Sequence, residues 1–135
     1  MELPIAIPVI DMSVALRTVS AYKDERVKAA ALYKPVMKSI EGDKATIIQQ
    51  VHDALYFATI ICYAQGLAML SKASGELKMD IPLKDVVKSW RGGCIIRSSL
   101  LEVFYAAYNK TENAVSNILL DESIAALIKK KEENV

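Results

Sequence analysis

A chain of 135 residues has room for about one domain. With 53% apolar residues it can build a core and still leave apolar surface for a neighbouring domain or subunit. A net charge of +1 gives no general pull toward nucleic acid or anionic membrane, and five glycines with four prolines are too few for a disordered chain or a turn-rich β fold.

Cysteine and histidine usage narrows the chemistry further. Cys62 and Cys94 are too few for a disulfide framework, and neither belongs to a C-x-x-C pair. Both are expected to be reduced core thiols. His52 is the only histidine, which excludes a multi-histidine metal site, and it is expected to lie on the surface or in helix packing.

The opening MELPIAIPVIDM has no positive n-region and is not a signal peptide. Its abrupt apolar start suggests a chain cut from a longer one. Asp11 is placed to cap a helix from Met12 to about Tyr33, stopped by Pro35. Arg17 is the first positive charge and stands amid the apolar part of this helix, ahead of the patch Lys23-Asp24-Glu25-Arg26. The segment from Pro35 to Gly42 reads as a loop.

Asp43 caps the longest predicted helix, about Lys44 to Lys78. Ile47, Ile48, Val51, Leu55, Ala58, Cys62 and Gln65 form a stripe at spacings of three and four. From Ala54 to Leu70 no charge interrupts it, about 26 Å of helix, which is short of a bilayer's hydrocarbon core. The expectation is a helix surrounded by others, with Gly66 permitting a close crossing.

Asp80 and Pro82 start a short helix ending near Trp90. The Gly92-Gly93 joint follows, then a predicted helix from Cys94 to Tyr108 with Ile96, Leu100, Val103, Phe104 and Ala107 on its main face. Lys110 to Asn117 reads as a polar loop, and Asp121 caps a last helix from Glu122 to about Glu133 with Ile124, Leu127 and Ile128 inward. The ending KKKEENV reads as a solvated end or the point of a cut. No strand pattern competes: the fold class is all-α, a bundle around a long central helix.

The residues do not assemble a self-contained active site. The chain holds no G-x-G-x-x-G, P-loop, H-E-x-x-H or G-x-S-x-G motif, and its carboxylates are expected on solvated faces. Arg17 is the leading polar candidate, since a guanidinium fork matches phosphate or carboxylate; its bland alternatives are a head that snorkels to water and a pair with an acid such as Asp24. Arg91 and Arg97 allow two readings. They either frame an anion site with glycine N–H groups at the start of the fourth helix, or fasten a helix joint. Tyr56, Tyr63, Tyr105 and Tyr108 are read as core with hydroxyls at its rim rather than as a stacking platform.

Four stretches in order, LRTVSAYKDERVKAA (residues 16–30), ALYFATIICYAQG (54–66), WRGGCIIR (90–97) and NILLD (117–121), resemble the helical C-terminal domain of the decarboxylating 6-phosphogluconate dehydrogenases. The resemblance spans nearly the whole chain. It implies part of a cytosolic, homodimeric, NADP-using enzyme of the pentose phosphate pathway, which oxidises 6-phosphogluconate at C3, releases carbon dioxide and yields ribulose 5-phosphate. It places the Rossmann cofactor domain, the lysine and glutamate that act as general base and acid, and a K-G-T-G-K-W phosphate-binding stretch upstream of Met1. A tail that reaches the partner subunit's site would follow Val135. The family arginine that contacts substrate phosphate falls on Arg17. Thr59, Cys62 and Leu3-Pro4-Ile5-Ala6 depart from the usual family residues. Residues 1–135 are therefore expected to be a partial helical domain, inactive alone, with no nucleic-acid or membrane partner. A stand-alone helical dimerisation module is the alternative, and a related 3-hydroxyacid dehydrogenase ranks below both.

Overall fold

The computed structural model describes residues 3–34, 36, 38–110 and 117–132, and every regular element among them is helical. In chain order these are α1 (Pro8–Ala21), α2 (Lys23–Tyr33), α3 (Lys44–Leu77), α4 (Leu83–Arg91), α5 (Leu100–Lys110), a single 3-10 turn (Ile118–Leu120) and α6 (Glu122–Glu132). The polar loop expected over Lys110 to Asn117, the stop at Pro35 and the last three residues lie mostly or wholly outside the described residues.

The first expected helix is two. It starts at Pro8, whose fixed φ suits the first helical position, with Ile7 as an N-cap lacking a side-chain bond. Asp11 lies inside the first turn rather than capping it. The break falls at Tyr22 (φ −80°, ψ 56°) with no glycine or proline to announce it. Three hydroxyls prepare it by donating back along the helix: Ser13 to Val9 O, Thr18 to Val14 O and Ser20 to Arg17 O. Such back-bonding competes with the helical ladder and bends it. Arg26 then fixes the corner, its Nη2 donating to Ser20 O at 2.9 Å.

Long α3 begins as expected. Asp43 Oδ2 accepts from Thr46 N at 2.9 Å, and that bond holds the carboxyl below its ordinary pKa. It ends at Lys78, in left-handed backbone with φ 53°, while Met79 N–H donates to Ser74 O at 3.0 Å.

The buried face of α3 differs from the expected one. Asp53, Ile60, Tyr63, Ala64 and Leu67 are buried, whereas Ile48, Val51, Leu55, Ala58 and Cys62 of the predicted stripe are exposed. Only the second half of α3 is a core helix. By length and composition it would suffice to cross a membrane, but its inner half packs on protein. Cys62 is correspondingly an exposed thiol rather than a core one, and Cys94 is half-buried.

Among the described residues, all thirteen buried apolar ones lie between Ile60 and Ile124. On α4, Leu83 and Val87 with half-buried Trp90 share one face at helical spacing, opposite Lys84, Asp85, Lys88 and Arg91. On α5, Leu100, Leu101, Phe104, Ala107 and Tyr108 are buried. Ile118 and Ile124 complete the cluster, with Leu127 and Ile128 against it. The segment expected to begin the fourth helix is non-helical: α5 starts at Leu100, six residues after Cys94, and Ile96 lies outside it, 43% exposed.

The first fifty residues add nothing to this core. α1 and α2 bury no residue, and α1 is tied to α3 by Val9 N donating to Gln65 Oε1 at 3.0 Å. The chain exposes 10296 Å², against roughly 7000 Å² for a compact monomer of its mass.

Candidate functional site

Two surfaces carry polar side chains that the fold leaves for function: the outer face of α1, and the corner joining α4 to α5. Arg17 stands on α1, exposed like every residue from Asp11 to Ala31. The pair with Asp24 that would have made it structural is not formed, and no salt bridge involving Arg17 is found among the described residues. Exposed Val14, Leu16 and Val19 surround it in sequence. It is therefore an exposed cation on a helix that buries none of its residues.

The corner separates the two flanking arginines. Arg91 is structural: its Nε lies 2.6 Å from Glu102 Oε1, its Nη2 pairs with Glu102 Oε2, and its guanidinium sits 4.9 Å from the Tyr105 ring centroid. It ties α4 to α5 by a bidentate, ring-stacked contact. Arg97 is exposed and forms no salt bridge among the described residues.

An anion cradle at the glycines is not formed. Gly92 N already donates to Ser89 O, and the helix the glycines would have opened starts at Leu100. Gly93 is required by conformation: φ is +131°, and nothing lies within 4 Å of where a Cβ would stand. The glycine at position 93 thus has a backbone reason rather than a ligand. Beyond them, the 94–99 segment is pinned to α3 by the Tyr63 hydroxyl, which donates to Ile96 O. Burial pushes the Tyr63 phenol above its ordinary pKa. The Tyr63 ring meets Phe104 edge-on at 5.4 Å and Trp90 at 6.4 Å between centroids.

Sequence reasoning missed one polar centre altogether. Asp53 has no exposed surface, contrary to the expectation of solvated carboxylates. Its Oδ1 lies 2.6 Å from Lys131 Nζ and 3.0 Å from His52 Nδ1, and its Oδ2 accepts from Gln49 Nε2 at 3.0 Å. Lys131, with the other donors, holds its carboxyl well below the ordinary range. The ammonium also stands 5.2 Å from the Tyr56 ring centroid. Lys131 therefore belongs to the packed structure rather than to a solvated end. His52 is half-exposed beside it, as expected of a surface histidine. The signal was a lone acid in the middle of an apolar helix, and its partner stands 78 positions away.

The tyrosines meet their expectation. Tyr63 and Tyr108 are buried in the core, and burial takes the Tyr108 phenol up to about 12. Tyr56 and Tyr105 are half-buried with cations over their rings. No group of three or more potential metal ligands occurs among the described residues.

An all-helical core confined to residues 60–124, an uncovered apolar stripe on α3, and an exposed Arg17 on α1 with no salt bridge among the described residues define a helical domain whose first third stands outside its core. The profile of the 6-phosphogluconate dehydrogenase C-terminal domain matches residues 1–135, and the chain belongs to that family. The decarboxylating 6-phosphogluconate dehydrogenase of Lactococcus lactis subsp. lactis is 39% identical over all 135 residues. The NADP(+)-dependent decarboxylating enzyme of Bacillus subtilis is 38% identical over 122 residues. The solved Plasmodium falciparum 6-phosphogluconate dehydrogenase, described in apo form, with its cofactor NADP+ and with its substrate 6-phosphogluconate, superposes with a TM-score of 0.86 at 30% identity, covering 96% of this chain and 28% of that one. The chain likewise spans 28% of the length of the Lactococcus relative.

Proposed function

We propose that this chain is the helical substrate-side portion of a decarboxylating 6-phosphogluconate dehydrogenase. In such an enzyme 6-phosphogluconate is oxidised and decarboxylated to ribulose 5-phosphate, in the cytoplasm and within the pentose phosphate pathway. The observation that carries this reading is the family match along the whole chain, at 28% of a relative's length. Arg17 is the residue assigned to substrate: an exposed guanidinium with no acidic partner suits a phosphate bidentately. NADP is the cofactor of the whole enzyme. The residues of this chain offer it no glycine-rich phosphate turn, so no step of the redox chemistry is assigned to them.

The partner proposed for the uncovered face is a second copy of the enzyme subunit. Ile48, Val51 and Leu55 on α3, with Leu16 and Val19 on α1, are each more than half exposed. The excess over a compact monomer, roughly 3000 Å² on one chain, exceeds the roughly 1000–2500 Å² that each partner of an obligate interface removes from solvent, so it leaves room for such a contact. Nucleic acid and membrane are not assigned as partners.

The test has separable arms. The chain alone, given NADP and 6-phosphogluconate, is expected to form no NADPH, and NADPH formation would overturn its incompleteness. In the full-length enzyme carrying this domain, Arg17→Ala should raise KM for the sugar acid about tenfold to a hundredfold while leaving KM for NADP nearly unchanged. An unchanged KM for the sugar acid removes Arg17 from the site. Light scattering on the full-length enzyme carrying this domain should report a dimer; a monomer removes the homodimer.

A further inference from the structure

Gly66 has a physical oddity that the family reading leaves unexplained. It lies inside α3, where glycine costs about 1 kcal/mol relative to alanine. The expected reason, a close helix crossing, is absent: a Cβ built there would meet nothing within 4 Å. The space beside Gly66 is a cavity of about 440 Å³ between α3 and the 94–98 segment. Its walls include Cys62, Tyr63, Trp90 and Ile96, and Arg97 lines it too.

We propose that this cavity is a binding site for a small organic acid with an apolar or aromatic body, its carboxylate held by Arg97 and its body lodged against Trp90 and Tyr63. The volume falls in the range of small-molecule pockets, which are apolar with a few placed polar groups. Two hydroxyls in the wall already donate, Tyr63 to Ile96 O and Thr59 to Leu55 O at 2.7 Å, and the third, Ser98 Oγ, accepts from Leu100 N at 3.2 Å. Arg97 is left as the charged donor, with no acid paired to it among the described residues. One guanidinium over an apolar floor matches a single planar carboxylate bidentately and neutralises its one charge, whereas a phosphate dianion would keep about half of its charge against apolar walls. The corner is prepared for this, since Gly93 turns the chain and the Tyr63 bond fixes the backbone one residue before Arg97. The site is distinct in residues from Arg17 and does not depend on the substrate assignment made there.

The chain's single tryptophan lines the cavity, so its fluorescence reports the site directly. The probes are 4-phenylbutyrate and its neutral isostere 4-phenylbutyramide, titrated into the purified 135-residue chain. A saturable change in Trp90 emission is expected, with the acid binding about tenfold tighter than the amide. Gly66→Leu should fill the cavity and abolish the saturable signal. Arg97→Gln should keep amide binding and erase the preference for the acid. Labelling of exposed Cys62 by a thiol reagent should slow when the acid is bound, which reads the site without any variant should Gly66→Leu fail to fold. A signal that does not saturate, equal affinity for acid and amide in the unaltered chain, unprotected Cys62, or a folded Gly66→Leu that binds as before would each overturn the proposal.

Discussion

Phe104→Ala tests where the stability of this domain resides. Phe104 has no exposed surface and occupies the centre of the cluster built by α3, α4, α5 and α6. Removing its ring loses the transfer free energy of a fully buried aromatic and leaves a cavity, together about 3–5 kcal/mol. Some of that is the edge-on contact with Tyr63 at 5.4 Å, a geometry worth roughly 0.5–1.5 kcal/mol beyond area alone. With a urea m-value of about 2 kcal/mol/M, the midpoint should fall by about 1.5–2.5 M. Helix content by circular dichroism and Trp90 emission should move together, because Trp90 packs against the same cluster. The contrast is Leu16→Ala on α1: its side chain is 60% exposed, and in a monomer the expected loss is within about 0.5 kcal/mol. The reasoning fails if Phe104→Ala costs less than about 1 kcal/mol, or if the two variants cost the same.

Acid should find Asp53. Its carboxyl is depressed by Lys131, Gln49 and His52, so the stability it contributes is complete above the ordinary aspartate value of about 3.9 and drains away as pH falls through the depressed one. Asp53→Asn should flatten that acid limb in urea titrations between about pH 5 and pH 2, and an unchanged limb would detach Asp53 from acid stability. Tyr63→Phe keeps the ring contacts but deletes the bond to Ile96 O; the expected cost is about 1 kcal/mol, with faster amide exchange over residues 94–99, and unaltered exchange there would show that the hydroxyl does not hold the segment.

What was legible in the sequence was local. Asp43, followed by an apolar periodic run, marked the start of α3 because an N-cap is decided within three residues, and Asp121 marked α6 the same way, with Oδ1 accepting from Ser123 N at 2.9 Å and Ile124 N at 3.2 Å. Arg91 was half legible: a joint-fastening arginine was one of two readings, and Glu102 eleven residues on settled it. Several errors lie where a distant partner decides. Residues 94–99 carry an apolar pattern compatible with helix, but Gly93 at φ +131° points the chain elsewhere and Tyr63, 33 residues upstream, holds Ile96 in its non-helical place. Lys131 looked solvated because Asp53 is 78 residues away.

The α3 stripe is the most informative of these disagreements, because its periodicity was read correctly and its burial was not. Hydrophobic spacing predicts that a face will be covered, without specifying by what. Ile48, Val51 and Leu55 are 57–68% exposed, on the same helix whose other face holds Ile60, Tyr63 and Leu67 in the core. Isolated exposed apolar residues mean little, but a repeating row of them on a rigid helix is costly to leave in water. Two apolar faces on one helix therefore imply two different covers. One is supplied by α4, α5 and α6 of this chain, and the other is the cover that the proposed subunit contact would supply. Arg17 on α1 lies in the part of the chain that adds nothing to the core, so the assignment of that residue to substrate and the assignment of this stripe to a partner make one structural demand: the first third of the chain gains its order from contacts with the rest of an enzyme. Hydrogen exchange should then show α1 and α2 poorly protected in the isolated chain and well protected in the full-length dimer, whereas equal protection in both states would mean that this surface needs no cover.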